Sequence, residues 1–86
     1  MDSSKRYPVV LNNLKQGKLV DYNVVRVSDG LQHEENWTVT VIFTFAFDKS
    51  GSPLTPRPEG YTGTGHSKGE ALSFASFSAL QHLGYI

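Results

Sequence analysis

Two short segments of this 86-residue chain hold the residues best suited to chemistry. The first is Gly30-Leu31-Gln32-His33, with Trp37 four residues beyond it. The second is Gly63-Thr64-Gly65-His66-Ser67-Lys68. The imidazole of His33 can donate or accept a hydrogen bond, and Gly30 lets the backbone turn closely beside it. Ser67, with Glu70 three residues on, is a helix-start pattern. The unbonded N–H groups and dipole of such a start attract an anion, and Lys68 adds a cation there. The chemistry suggested is hydrogen bonding and the holding of an anion such as phosphate. Bond-making chemistry has less to stand on. His33, His66 and His82 are far apart, have no cysteine beside them and show no ligand spacing, so no metal site is expected. No carboxylate pair or nucleophile elbow appears. Gly63-x-Gly65 lacks the rest of the Walker and dinucleotide patterns. Neither an enzyme nor a cofactor is expected.

These segments need a scaffold, and local signals supply one. Pro8 suits a first helical turn. Val10, Leu11 and Leu14 recur at helical spacing, and Gly17 supplies a stop, predicting a helix over 8–17. Tyr22–Val27 is rich in β-branched residues and ends at Ser28-Asp29-Gly30, a strand and then a turn. Residues 37–47 alternate most clearly: Trp37, Val39, Val41, Phe43, Phe45 and Phe47 share one face, and Thr38, Thr40 and Thr44 the other. Residues 48–60, with three prolines and two glycines, read as a loop. A short strand around 60–63 follows. Ala71, Ala75, Ala79, Leu80 and Leu83 then stripe a helix that Gly84 ends. The predicted fold is α+β in the order α-β-β-β-α: a three-stranded antiparallel sheet with two helices packed on one face. The other face is left to solvent. Residues 1–7 read as a flexible tail and 8–86 as one domain.

Composition bounds what such a domain does. Eighty-six residues hold one core, and 38% hydrophobic residues suffice to build it. Cysteine is absent, which excludes disulfides and fits a reducing compartment, nuclear or cytoplasmic. No apolar run approaches the ~20 residues that span a bilayer, and Met1–Arg6 lacks the apolar stretch of a secretory signal. Net charge is zero. Its distribution is uneven: residues 1–18 carry four basic side chains against one acidic, and residues 19–86 carry four against seven. A surface that meets a polyanion would lean on the first helix.

The two segments, in this order and spacing, resemble the double-stranded-RNA-binding domain. That family's loop reads Gly-Pro-x-His with an aromatic four residues on, and its last helix opens Gly-x-Gly-x-Ser-Lys-Lys-x-Ala-Lys. The resemblance covers about residues 8–84 and implies a module that reads A-form RNA by shape. Two probes enter successive minor grooves, and cations meet the phosphates between them. It assigns His33 and Gly30 to one minor groove and Asn12 and Asn13 on the first helix to the other. Lys15 adds a phosphate contact, and Ser67 and Lys68 meet the phosphates between. The expected partner is double-stranded RNA, bound weakly and without sequence preference.

The departures from the family pattern fall on charge. Leu31 stands where the family has proline, and Glu34 and Glu35 follow His33. The family's three lysines correspond here to Lys68, Gly69 and Leu72. Removing two phosphate contacts lowers the log–log salt slope by about 1.8, at ~0.9 per contact for a B-form duplex. The alternative is a protein-interaction domain on the same fold, binding a protein partner or forming a homodimer. Its surface would use Ile42, Leu72 and Phe77, with Phe77 either exposed or covered by the 48–60 loop.

Overall fold

Alternation in the middle of the chain builds the sheet, and the alanine stripe near its end builds the layer that covers it. The structure, a computed structural model, describes residues 6–30 and 35–86. The 1–5 part of the expected tail lies outside the described residues, as do Leu31, His33 and Glu34. The order is helix α1 (Arg6–Gln16), strands β1 (Val20–Asp29), β2 (Asn36–Phe47), β3 (Pro53–Leu54) and β4 (Tyr61–Gly65), then helix α2 (Lys68–Leu83). This is the α+β fold in the expected order, with one addition. Within the loop 48–60, Pro53 and Leu54 pair with Phe47 and Ala46, so β3 and β4 share one side of β2 while β1 runs along the other. All pairings are antiparallel.

Helix α2 lies across β4 and β2, and α1 packs beside it. The core between helices and sheet is Leu11, Val20, Val39, Val41, Phe43, Ala46, Tyr61, Ala71, Ala75, Ala79, Leu80 and Leu83. The alanines let α2 approach closely, and Gly63 answers them from the sheet. A Cβ on Gly63 would overlap the Ala71 carbonyl oxygen and the Ala75 nitrogen, and would stand 2.7 Å from Phe74 Cβ. Backbone thus lies on backbone, and only glycine fits.

The predicted faces of β2 hold as far as Phe43 and then change. Phe45 is exposed and Ala46 is buried. The cause is a bulge: Asp21 faces Phe45 and Tyr22 faces Phe43, leaving Thr44 as the extra residue. Thr44 Oγ1 lies 3.2 Å from both the Asp21 carbonyl oxygen and its Oδ2. A bulge reverses the inward parity, so Phe45 and Phe47 move to the open face, ring edge against ring at 6.2 Å.

The start of α1 also differs. Arg6 and Tyr7, expected in the tail, are helical. At its other end Gly17 is not the left-handed residue; Lys18 is, at φ 62°. Lys18 N–H donates to the Lys15 carbonyl at 3.0 Å and Leu19 N–H to that of Leu14 at 3.0 Å, the paired bonds of a helix stop. Helix α2 ends as expected: Gly84 is left-handed at φ 88° and Tyr85 N–H donates to the Leu80 carbonyl at 3.0 Å.

Candidate nucleic-acid interface

The start of α2 is built by three local features. Ser67 is extended, and its hydroxyl accepts the Glu70 N–H at 3.1 Å. Its carbonyl accepts the Ala71 N–H at 3.0 Å. The N–H groups of Lys68 and Gly69 are the remaining donors of the first turn. The Lys68 ammonium lies 5.0 Å from the centre of the Trp37 ring, within the range of a cation–π contact. Trp37 faces Gly65 across β2 and β4, so strand register brings the start of α2 to the base of the β1–β2 loop. Gly30, at φ 107°, turns the chain out of β1 at that same end. Gly30, at the base of the expected loop contact, and Lys68 therefore lie at one end of the sheet.

The third expected contact region is on α1, whose Lys15 reaches the opposite end of β1. Asn12, Asn13 and Lys15 lie on α1, the asparagines exposed and Lys15 partly so. Lys15 differs from the asparagines in having partners. Its ammonium is 3.8 Å from Asp21 Oδ1, 3.4 Å from the Tyr22 carbonyl and 4.9 Å from the centre of the Tyr22 ring. This lysine ties α1 to the beginning of β1. From Tyr22 to Ser28, the residue facing Trp37, the strand extends about 20 Å at ~3.4 Å per residue. The point where Lys15 meets β1 and the residue facing Trp37 are thus separated by most of the length of the strand.

No family model matches this chain, and no curated protein matches it. The functional reading therefore rests on the residues themselves.

The residues of the alternative reading fall in three places. Ile42 is on the open sheet face, facing Asn23. Leu72 is half-buried and packs against the core. Phe77 is 38% exposed, and its ring is met edge-on by Tyr7 of α1 at 5.1 Å. The 48–60 loop does not cover it. That loop lies instead against the far end of α2, where Lys49 N–H donates to the Leu83 carbonyl at 3.1 Å. Within the loop the Ser50 hydroxyl and Ser52 N–H bind the Asp48 carboxylate at 2.7 and 2.9 Å and hold its carboxyl below its ordinary range.

Sequence reasoning missed two residues beside Phe77. Phe74, one turn earlier, is 54% exposed. Tyr7, Ser73, Phe74 and Phe77 together line a cavity of about 250 Å³. The i, i+3 spacing of Phe74 and Phe77 carried a signal, while Tyr7 was hidden by its place in an expected tail. Among the described residues no three of His, Asp and Glu come together as metal ligands, and no helix is long and apolar enough to cross a membrane.

Proposed function

We propose that this chain is a divergent double-stranded-RNA-binding module that recognises the A-form duplex by shape, in the nucleus or cytoplasm. The observation that carries the reading is the placement of polar groups at both ends of one helix-bearing layer. Lys68, held on Trp37 beside the base of the β1–β2 loop, suits a phosphate. Lys15 meets β1 at Tyr22, some 20 Å along the strand from the residue facing Trp37 at ~3.4 Å per residue. Asn12 and Asn13 stand within a turn of it on α1, where a second groove would be met. Asparagine amides can bond 2′-hydroxyls, and a shape-reading domain needs two such separated probes. Binding is weak on this account, because Lys68 is the one family lysine retained and Lys15 is already paired to Asp21.

The test is a titration of the chain against a ~20-base-pair RNA duplex and its DNA counterpart, a length that exceeds the ~16 base pairs such a domain spans. RNA binds and DNA does not, and affinity falls with salt at a slope of two or three phosphate contacts, ~0.9 each by the B-form relation. Equal binding to both duplexes would remove the shape-reading mechanism.

A second reading has its own observation, the aromatic cavity of Tyr7, Phe74 and Phe77. Under it the fold is a protein-interaction domain that no longer grips RNA. Phe77→Ser would then disrupt a partner complex while the chain stays folded.

A further inference from the structure

The outer edge of β1 is the longest free edge of the sheet. Among the described residues its only strand partner is β2, along the inner side. In an antiparallel ladder every second residue of an edge strand turns its N–H and C=O outward, and these groups template the addition of another strand. Proteins usually blunt such edges with charged side chains, lysine above all, with proline, a bulge or short length. Val20–Asp29 is ten residues long and contains no proline or lysine; its charges are Asp21, Arg26 and Asp29. The bulge sits at its beginning, opposite Asp21 and Tyr22, so the stretch Asn23–Asp29 is regular. The opposite side of the sheet ends in the two-residue β3, which opens with Pro53, and the five-residue β4, with Pro56 and Pro58 in the loop between them.

The side chains along the regular stretch are complementary to themselves. Val25 and Val27 are 46% and 54% exposed and point to the open face with Asn23 and Asp29. Antiparallel pairing about a two-fold axis at Arg26 sets Val25 against the Val27 of a second copy, and Val27 against its Val25. The same register sets the Asn23 amide against the second copy's Asp29 carboxylate, donor against acceptor, at both ends. Cross-strand valine pairs and polar pairs of this kind stabilise sheets. One pair opposes the arrangement: each Arg26, on the helix side, meets its own copy, and facing like charges destabilise. Asp21, whose carboxylate already meets Lys15 and Thr44, falls outside the paired stretch.

We propose that two copies of this chain associate through antiparallel pairing of their β1 edges, centred on Arg26, so that the two sheets become one. The pairing is independent of the RNA reading, since it uses neither α1 nor the start of α2, and of the second reading, since it does not use the Phe77 cavity.

Sedimentation equilibrium on the RNA-free chain tests it, over concentrations up to about millimolar. A monomer–dimer equilibrium is expected. Val25→Lys with Val27→Lys places ammonium groups opposite one another on exposed positions and weakens the dimer by at least about tenfold. Arg26→Gln removes the facing charges and tightens it by roughly threefold. Phe77→Ser leaves it unchanged. A chain that stays monomeric throughout overturns the proposal. So does a dimer indifferent to the valine changes, or one that Arg26→Gln weakens, since that arginine would then be contributing to a different contact.

Discussion

The two helices carry the residues of the candidate interface, and they are held in different ways. Helix α2 is capped at both ends by residues suited to the task, Ser67 and Gly84, and is seated on Gly63 in its first half. Its first lysine is left facing outward, resting on Trp37. Helix α1 is shorter, ends on a lysine in the left-handed region, and is tied to β1 by its other lysine. The contrast is instructive because both lysines look alike in the sequence. A lysine seated on a ring keeps its charge available to a phosphate. One bridging to a carboxylate has had much of its field cancelled nearby.

Breaking the seat of α2 gives the largest effect. Gly63→Ala forces a methyl group into the backbone of Ala71 and Ala75, and we expect more than ~3 kcal/mol of destabilisation in urea unfolding. A change below ~0.5 kcal/mol would mean that α2 does not lie so close to β4. The lysines come next. Lys68→Ala is expected to lower duplex-RNA affinity about tenfold with unfolding unchanged, whereas Lys15→Ala lowers it no more than about threefold, because Asp21 already offsets that charge. Equal reductions in a binding titration would erase the distinction between the helices.

Adding a charge where the resembled family carries lysine bears on the same two helices. A Cβ at Gly69 meets nothing within 4 Å, so Gly69→Lys fits. It adds a cation next to Lys68 and raises RNA affinity roughly fivefold, while replacing a helical glycine adds up to ~1 kcal/mol of stability. Leu72→Lys is the poorer choice, since Leu72 packs against the core. The smallest effect belongs to α1. Lys18→Gly relieves a left-handed side chain at φ 62° and adds about 0.5–1 kcal/mol, measured as a higher denaturant midpoint without change of slope.

What the sequence discloses follows the reach of each signal. The alanine stripe, the Ser67 cap and the Gly84 stop are local, and each forms the end or face it predicts. Alternation in β2 is legible up to Phe43 and fails at Thr44, because the bulge is held by Asp21, 23 residues earlier in the chain. The same limit hides the rest of the site. Lys15 meets Asp21 across a turn, Lys68 meets Trp37 through strand register, and Phe77 is partly covered by Tyr7 of the other helix. Gly63 reads as part of a loop motif until α2 is laid over it. His33 and the loop tip lie outside the described residues, so that contact rests on the family resemblance alone.

On the proposed reading duplex RNA is gripped by the start of α2 and by the polar face of α1, whose Lys15 reaches the other end of β1. Chemical-shift mapping of the labelled chain during addition of duplex RNA tests it most directly. The account predicts perturbations clustered at residues 12–15, 30–34 and 66–69, with the open sheet face silent. Perturbations confined to Ile42, Phe45 or the Phe74–Phe77 surface, or none at saturating RNA, would contradict it.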